Sequence, residues 1–370
     1  MLIGVDARMI THPGIGSYTR NLLANLLSQS SGEEYLLLGD KANISRCLEG
    51  ITTASKQANY PVYSLREQLF MPRAARGVDL LHVPHYNIPV FYKGLLVSTV
   101  HDLIHLIFPQ YLPSKFAHAY AKFMYSQVAK KAARIIAVSE NTKKDLIEHM
   151  SIDAKRIVVT HEGVSPQYRR VDNMAILSEI RQRYNLNKPF ILCVGTLRYH
   201  KNILNLIEAF LKLKKKDKIE EKLVLVGRPD RKAKRIYSFL SSLAQGDDIQ
   251  YLGEIEPGHL PYIYNLARAF VMPSFYEGFG LPILEAMACG IPVVASNVSS
   301  IPEVAGDGAR YVDPHSVEEI ASGIYDVLSS GSLRSSLTRK GFERIKHFDW
   351  KETARKTKEV YMEALQCELR

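Results

Sequence analysis

The stretch AFVMPSFYEGFGLPILEAMACGIPVVAS, residues 269–296, sets two continuous apolar runs on either side of a glycine-bearing loop and a short helical segment. AFVMPS and IPVVAS have the length and composition of buried strands. Between them Pro282 suits the first turn of a helix, while Gly290 and then Pro292 suit its end. Gly278 and Gly280 allow backbone N–H groups to approach a ligand closely, and the helix start attracts an anion such as a diphosphate. Glu277 lies in the loop and Glu285 near the middle of the helix, so two carboxylates occupy different depths of one site. Ionised carboxylates only accept hydrogen bonds, which suits them to the vicinal hydroxyls of a sugar or ribose. A lone Gly-x-Gly marks a turn and a lone helical Glu faces solvent; it is the combination that points to ligand binding.

The same alternation extends in both directions. LIGVDAR, EYLLLGD, DLLHVP, LLVSTVHD, RIIAVSE and RIVVTHEGV form one set of strand-like runs, and PFILCVGT, KLVLVGR, IQYLG, AFVMPS, IPVVAS and ARYVDP a second. Helical patterns separate them, which predicts an α/β protein with parallel sheets covered on both faces. A polar stretch near 167–188 divides the sets. The expected organisation is therefore an N-terminal Rossmann-like domain over 1–170, a linker over 171–188, a C-terminal Rossmann-like domain over 189–349, and a final helix over 350–370 that packs or bridges domains. Ligands of open α/β sheets bind beyond the carboxyl ends of the strands, so two such domains would face each other across a cleft.

Composition agrees with this. A chain of 370 residues exceeds the usual size of one core, and its 46% apolar and 23% charged content is that of a folded globular protein. The start, MLIGVDARMI, reads as a strand instead of a signal peptide or anchor, and no run approaches the ~20 apolar residues of a spanning helix. Cys47, Cys193, Cys289 and Cys367 are far apart and lack metal-ligand or disulfide spacing, which predicts reduced thiols in a cytoplasmic protein. The net charge of +10 is concentrated early, with 20 Lys/Arg against 13 Asp/Glu in residues 1–170 and 28 against 25 afterwards. No zinc-finger, helix-turn-helix or aromatic RNA-binding pattern accompanies it, so nucleic acid is not an expected partner. The basic segment SKFAHAYAKFMYSQVAKKAAR, 114–134, admits two readings: peripheral contact with an anionic membrane, or an ordinary helix with solvated lysines.

Further candidate residues follow strand ends. In VGTLRYHKN, residues 194–202, Lys201 opens a helix, where a cation opposes the helix dipole unless an anion offsets it. PGIGSY, with Gly14 and Gly16, precedes a helical run but lacks the third glycine of a dinucleotide fingerprint. His101 follows LLVSTV; a histidine there commonly serves structure, and the adjacent Asp102 is a candidate to orient it. Ser139 suits a helix N-cap, with a phosphate-facing role secondary. His82, His85, Tyr86 and Asn87 fall in a proline-bounded stretch and are candidates for an acceptor site. No carboxylate pair is placed like a metal clamp, since Asp247-Asp248 sits in a QGDDIQ turn. No metal or other cofactor is expected.

Together, the Glu277/Glu285 pair, the run EGFGLPILEAMACGIPVVAS and SSIPEVAGDGARYVDP resemble the donor-binding half of glycosyltransferase family 4, whose fold is the two-domain GT-B arrangement; the resemblance extends over nearly the whole chain. It implies a retaining, metal-independent transferase using a nucleotide diphosphate-sugar. By the same resemblance Glu285 holds the ribose hydroxyls. Glu277 and the backbone of Gly278, Phe279 and Gly280 hold the sugar, and Leu281 belongs to the same donor-binding stretch. Lys201 neutralises the diphosphate, with Arg198 standing in for an arginine the family carries where this chain has Thr196. Gly14 and Gly16 belong to a loop near the diphosphate, and His101 touches the sugar near its anomeric carbon. VGTLRYHKN and HDLIHLIFPQYLP look like stretches of the family's mannosyltransferases, pointing to GDP-mannose as donor and to a glycan or lipid-linked glycan as acceptor. A nucleotide-sugar epimerase or a non-catalytic sugar-binding scaffold would also use such domains. A nicotinamide oxidoreductase is disfavoured, because a complete G-x-G-x-x-G with its acidic partner is missing.

Overall fold

The computed structural model describes residues 1–30, 32–112, 114–217, 219–228, 248–256 and 258–368. The chain divides into two compact units, Met1–Gly163 with Asp349–Arg370, and Val164–Phe348.

The first unit carries a parallel sheet in the order β3-β2-β1-β4-β5-β6-β7. Its strands are β1 (Leu2–Asp6), β2 (Glu34–Gly39), β3 (Ala54–Gln57), β4 (Leu80–Val83), β5 (Leu96–Val100), β6 (Arg134–Ala137) and β7 (Ile157–Val159). Helices cover both faces, so the inner strands LLHV and LVSTV are buried at every residue, as the continuous apolar runs predict. Only β3 escapes that signal: ASKQ is a largely exposed edge strand with no apolar run to betray it.

The second unit carries a parallel sheet in the order β10-β9-β8-β11-β12-β13. These strands are β8 (Phe190–Val194), β9 (Lys222–Val226), β10 (Ile249–Gly253), β11 (Ala269–Met272), β12 (Val293–Ser296) and β13 (Ala309–Val312), the six expected runs. The order in which strands are added reverses once in each sheet, between β1 and β4 and between β8 and β11. The loops leaving those four strands flank the crevices where open α/β sheets bind ligands.

Two expectations about organisation change. The polar stretch 171–188 contains a helix, Met174–Arg183, whose Leu177 and Ile180 are buried, and it belongs to the second unit. Val171 N donates to Asn265 Oδ1 at 2.9 Å and Gln250 Nε2 to the Tyr184 carbonyl at 2.8 Å, so this segment is packed structure instead of a linker. The division falls earlier, after Gly163. The last helix, Trp350–Glu368, returns to the first unit, where Lys358 Nζ meets Glu33 at 3.0 Å and Thr353 Oγ1 donates to the His161 carbonyl at 2.7 Å.

Candidate active site

In the second unit, β8 and β11 are neighbours, and their outgoing loops bring Lys201 and Glu277 together. After β8 the chain turns at Gly195, φ +149°, and its N–H donates to the Val226 carbonyl at 2.9 Å. A 3-10 turn over Tyr199–Lys201 ends at Asn202, left-handed at φ +58°, before the helix Ile203–Lys216 begins. Asn202 Nδ2 donates to the carbonyls of Pro273 at 2.9 Å and Pro314 at 2.6 Å, tying this turn to the loop after β11. Lys201 Nζ then lies 2.7 Å from both Glu277 carboxylate oxygens, with side chains 18% and 10% exposed. Ser274 Oγ donates to Glu277 Oε1 at 2.6 Å, and Glu277 N–H donates to Ser299 Oγ at 3.0 Å. An ammonium has three N–H groups, and two are directed at Glu277. Among the described residues the third has no protein acceptor, which leaves it able to meet an anion.

Gly280, at φ +113°, caps the helix Leu281–Ala288, with Pro282 in its first turn and Gly290, φ +77°, just past its end. Ser300 Oγ lies 2.9 Å from the Glu277 carbonyl and 2.8 Å from that of Phe279, fixing the backbone of the Glu277–Gly278–Phe279 loop. Phe279 is buried edge-on against Phe348, so its side chain anchors the loop while the backbone stays on it. Glu285, on the short helix, accepts from Tyr264 OH at 2.9 Å and is also bonded by Tyr168. Both tyrosine hydroxyls are raised above their ordinary range by burial, with the Glu285 charge adding to it. Arg198 is exposed two residues beyond Thr196. Asp247 lies outside the described residues; Asp248 pairs with Lys214 at 2.9 Å.

In the first unit, Gly14 caps the helix Ile15–Ser28 at φ +78°. Gly16 has a local reason to be glycine: a Cβ there would stand 2.6 Å from the Ile10 carbonyl oxygen. His101, just after β5, has Nδ1 3.3 Å from Glu162 Oε1 and Nε2 3.2 Å from the Pro84 carbonyl, with Tyr18 edge-on at 4.7 Å. Asp102 does not orient it, because Asp102 Oδ1 accepts from the Ile104 N–H at 3.0 Å; Glu162 takes that place. Ser139 Oγ accepts from Thr142 N–H at 3.0 Å, a helix N-cap.

The four residues expected to line an acceptor site are interior. His82 is 0% exposed, bonded to Thr99 Oγ1 at 2.8 Å and to Tyr361 OH at 2.7 Å, so it belongs to the core between β4 and the last helix. His85, Tyr86 and Asn87 are also buried. Tyr86 stacks on Tyr125 at 4.3 Å, and Asn87 joins Glu67 Oε2 at 2.7 Å to the Tyr120 hydroxyl at 2.6 Å. Behind them lies a network that sequence reasoning missed: Arg8 holds Asp6 and Glu67, each at 2.6 Å. Asp6 and Arg8 stand at the end of LIGVDAR, a position that marks them, whereas nothing in LREQLF distinguishes Glu67. Glu67 is raised by burial and held back by Arg8.

Burial pushes His82 down to about 3, the nearby His101 adding to it, and pushes His85 well below its ordinary value. Both are neutral in the folded chain and take up protons once unfolded, at about 6.5. Neither changes stability with pH above about 6.5; below it the unfolded chain binds protons that the fold refuses, and stability falls, for His82 down to about pH 3. His82 removes up to about 1.4 kcal/mol per pH unit across its window, and His85 acts in the same direction. The melting temperature is expected to drop between pH 7.5 and 5.5, and to drop less in His82→Gln; an equal drop would mean that His82 is charged in the fold.

Residues 14–168 match the sequence pattern of Glycosyltransferase Family 4, and residues 178–344 that of Glycosyl transferases group 1. The O-antigen chain mannosyltransferase B of Escherichia coli is 34% identical over 283 residues, covering 76% of this chain and 74% of that one. The chain belongs to glycosyltransferase family 4. Another relative, the serotype-specific mannosyltransferase WbdA of Escherichia coli, is 29% identical over 290 residues; the match covers 77% of this chain and 35% of WbdA, about a third of its length. Among solved structures, Anabaena HepE in complex with UDP and glucose aligns at a TM-score of 0.78 and 17% identity, covering 97% of this chain and 99% of that one. The fold is thus GT-B, and the family 4 protein is a glycosyltransferase. No helix among the described residues is long and apolar enough to cross a membrane.

Proposed function

We propose that this protein transfers mannose from GDP-mannose, with retention of configuration, to a glycan or lipid-linked glycan acceptor. The observation that carries the sugar assignment is the 34% identity to an O-antigen chain mannosyltransferase over three quarters of both chains. The second unit is the donor side and the first the acceptor side. Lys201 meets the diphosphate with its remaining N–H, while Glu277 and the backbone of Gly278, Phe279 and Gly280 meet the sugar hydroxyls. Glu285, steadied by Tyr264, meets the ribose. His101 serves the transferred sugar, and Gly14 and Gly16 the diphosphate, on the family resemblance. The bond from the anomeric carbon to the phosphate oxygen breaks as the acceptor oxygen bonds on the same face. The acceptor proton passes to the leaving phosphate, whose charge the ammonium stabilises.

Contact with an anionic membrane is part of this reading. The helix Lys115–Lys131 contains no Asp or Glu, and exposes Phe116 and Phe123 beside Lys115, Lys122, Lys130 and Lys131. Leu65 and Leu69, on the helix Leu65–Ala74, add exposed apolar surface, and Tyr63 at its entrance packs edge-on against Tyr120. Such a face suits a lipid surface that carries the acceptor.

The test is a melting-temperature panel of GDP-, UDP-, ADP- and dTDP-sugars, followed by transfer assays with and without anionic vesicles. GDP-mannose is expected to stabilise the wild type, by about 2.7 kcal/mol at a hundredfold excess over Kd, and not Glu285→Ala. Stabilisation by a different nucleotide sugar removes the mannose assignment, and stabilisation by none favours a scaffold. Failure to float with anionic vesicles removes the membrane contact alone.

A further inference from the structure

In the first unit His82, His85 and His101 lie in a larger group of mutually influencing histidines, and of these three His101 faces a carboxylate. His82 and His85 are kept neutral by burial, and His101 opposes protonation of both. His101 is held by several elements and keeps 17% of its side chain exposed. Glu162, in the segment after β7, lies at Nδ1 and the Pro84 carbonyl, after β4, at Nε2. Tyr18, from the helix Ile15–Ser28, meets the ring edge-on, and Thr142 Oγ1 donates to the His101 carbonyl at 3.2 Å. Tyr18 is itself held by Thr99 at 3.2 Å and by Trp350, whose ring lies 5.8 Å away.

Both groups that face the imidazole nitrogens are acceptors. A backbone carbonyl cannot donate, and an ionised carboxylate cannot donate. A ring nitrogen that carries a proton therefore has an acceptor waiting for it, the Glu162 carboxylate at Nδ1 and the Pro84 carbonyl at Nε2. Glu162 is itself 5% exposed, and a buried carboxylate requires such a partner.

We propose that Glu162 is the positioning residue for His101: its carboxylate, at Nδ1, fixes the imidazole plane in which His101 serves transfer. This rests on the reading of His101 as a functional residue. Glutamine at 162 keeps the shape and one acceptor oxygen but removes the charge, and aspartate keeps the charge on a shorter stem.

The experiment compares Glu162→Gln, Glu162→Asp, His101→Ala and the double variant Glu162→Gln/His101→Ala by steady-state kinetics and melting temperature. It also records nitrogen NMR of the His101 ring in the wild type and Glu162→Gln. Glu162→Gln is expected to lower kcat about tenfold with donor KM unchanged. Glu162→Asp should recover part of that loss, and Glu162→Gln should cost nothing further once His101 is alanine. The His101 Nδ1 resonance should move between the wild type and Glu162→Gln, since its partner changes from a carboxylate to an amide. If His101→Ala loses activity while Glu162→Gln keeps it, the proposal is overturned and the role of His101 stands. A Glu162→Gln loss that adds in full to the His101→Ala loss also overturns it, by assigning Glu162 to general packing. If His101→Ala keeps full turnover, the reading of His101 fails and takes the proposal with it.

Discussion

Replacing Lys201 with alanine is expected to lower kcat by about a hundredfold to a thousandfold, the usual cost of removing one preorganised group from a developing charge. The same change removes the ion-pair partner of Glu277, whose carboxylate is 10% exposed and keeps Ser274 Oγ as a donor at 2.6 Å. Breaking a largely buried pair by deleting one member costs about 3–5 kcal/mol, because the other charge stays behind. The two effects separate in Lys201→Ala/Glu277→Gln. The neutral amide should return most of the lost stability, read as melting temperature, and none of the lost turnover. Recovery of turnover would show that Lys201 acts only by holding Glu277 in shape.

Gly227→Ala is expected to lose stability on the same scale as Lys201→Ala, by a purely backbone route. At φ +145° the residue lies where an L side chain is strained, and its Cβ would come within 2.0 Å of the Gly195 carbonyl oxygen. The obstacle is backbone, so no rotamer change relieves it, and the loop that leads to Lys201 must move. Overpacking and left-handed strain together cost about 3 kcal/mol, or about 6–12 °C in the melting of a unit this size. Gly253→Ala is the control: it too has a positive φ, +65°, but nothing lies within 4 Å of its added Cβ. It should cost only the strain, about 1 kcal/mol. Equal losses at 227 and 253 would mean that the loop after β8 yields to the methyl group.

The strands and the glycine loop of the second unit were legible because buried parallel strands are uniformly apolar and turns need particular residues. Lys201 and Glu277 were legible for the same reason, each standing just beyond a strand. Their pairing was not, since it depends on β8 lying beside β11, an adjacency no local pattern encodes. The polar edge strand Ala54–Gln57 lacked any hydrophobic signal. Polarity also misled over 171–188, where the few apolar residues Leu177 and Ile180 suffice to seat a helix. His82 read as an acceptor residue because its neighbours are proline-bounded and polar; its partner Tyr361 is supplied by the far end of the chain. Glu162 was within view in RIVVTHEGV, but a carboxylate gains meaning only from the imidazole that folding brings to it.

The division of the chain makes residues 164–348 an insertion within the fold that surrounds them. The ends of the insertion meet: Val164 N–H donates to the Phe348 carbonyl at 3.1 Å, while Gly163 lies against Trp350 so closely that a Cβ would sit 2.3 Å from its backbone nitrogen. A guest whose two ends are neighbours can be exchanged without cutting the host's sheet or parting it from its closing helix. Recombination between relatives at these two joints would therefore replace one whole unit while preserving the other, a modular route by which a lineage could diversify.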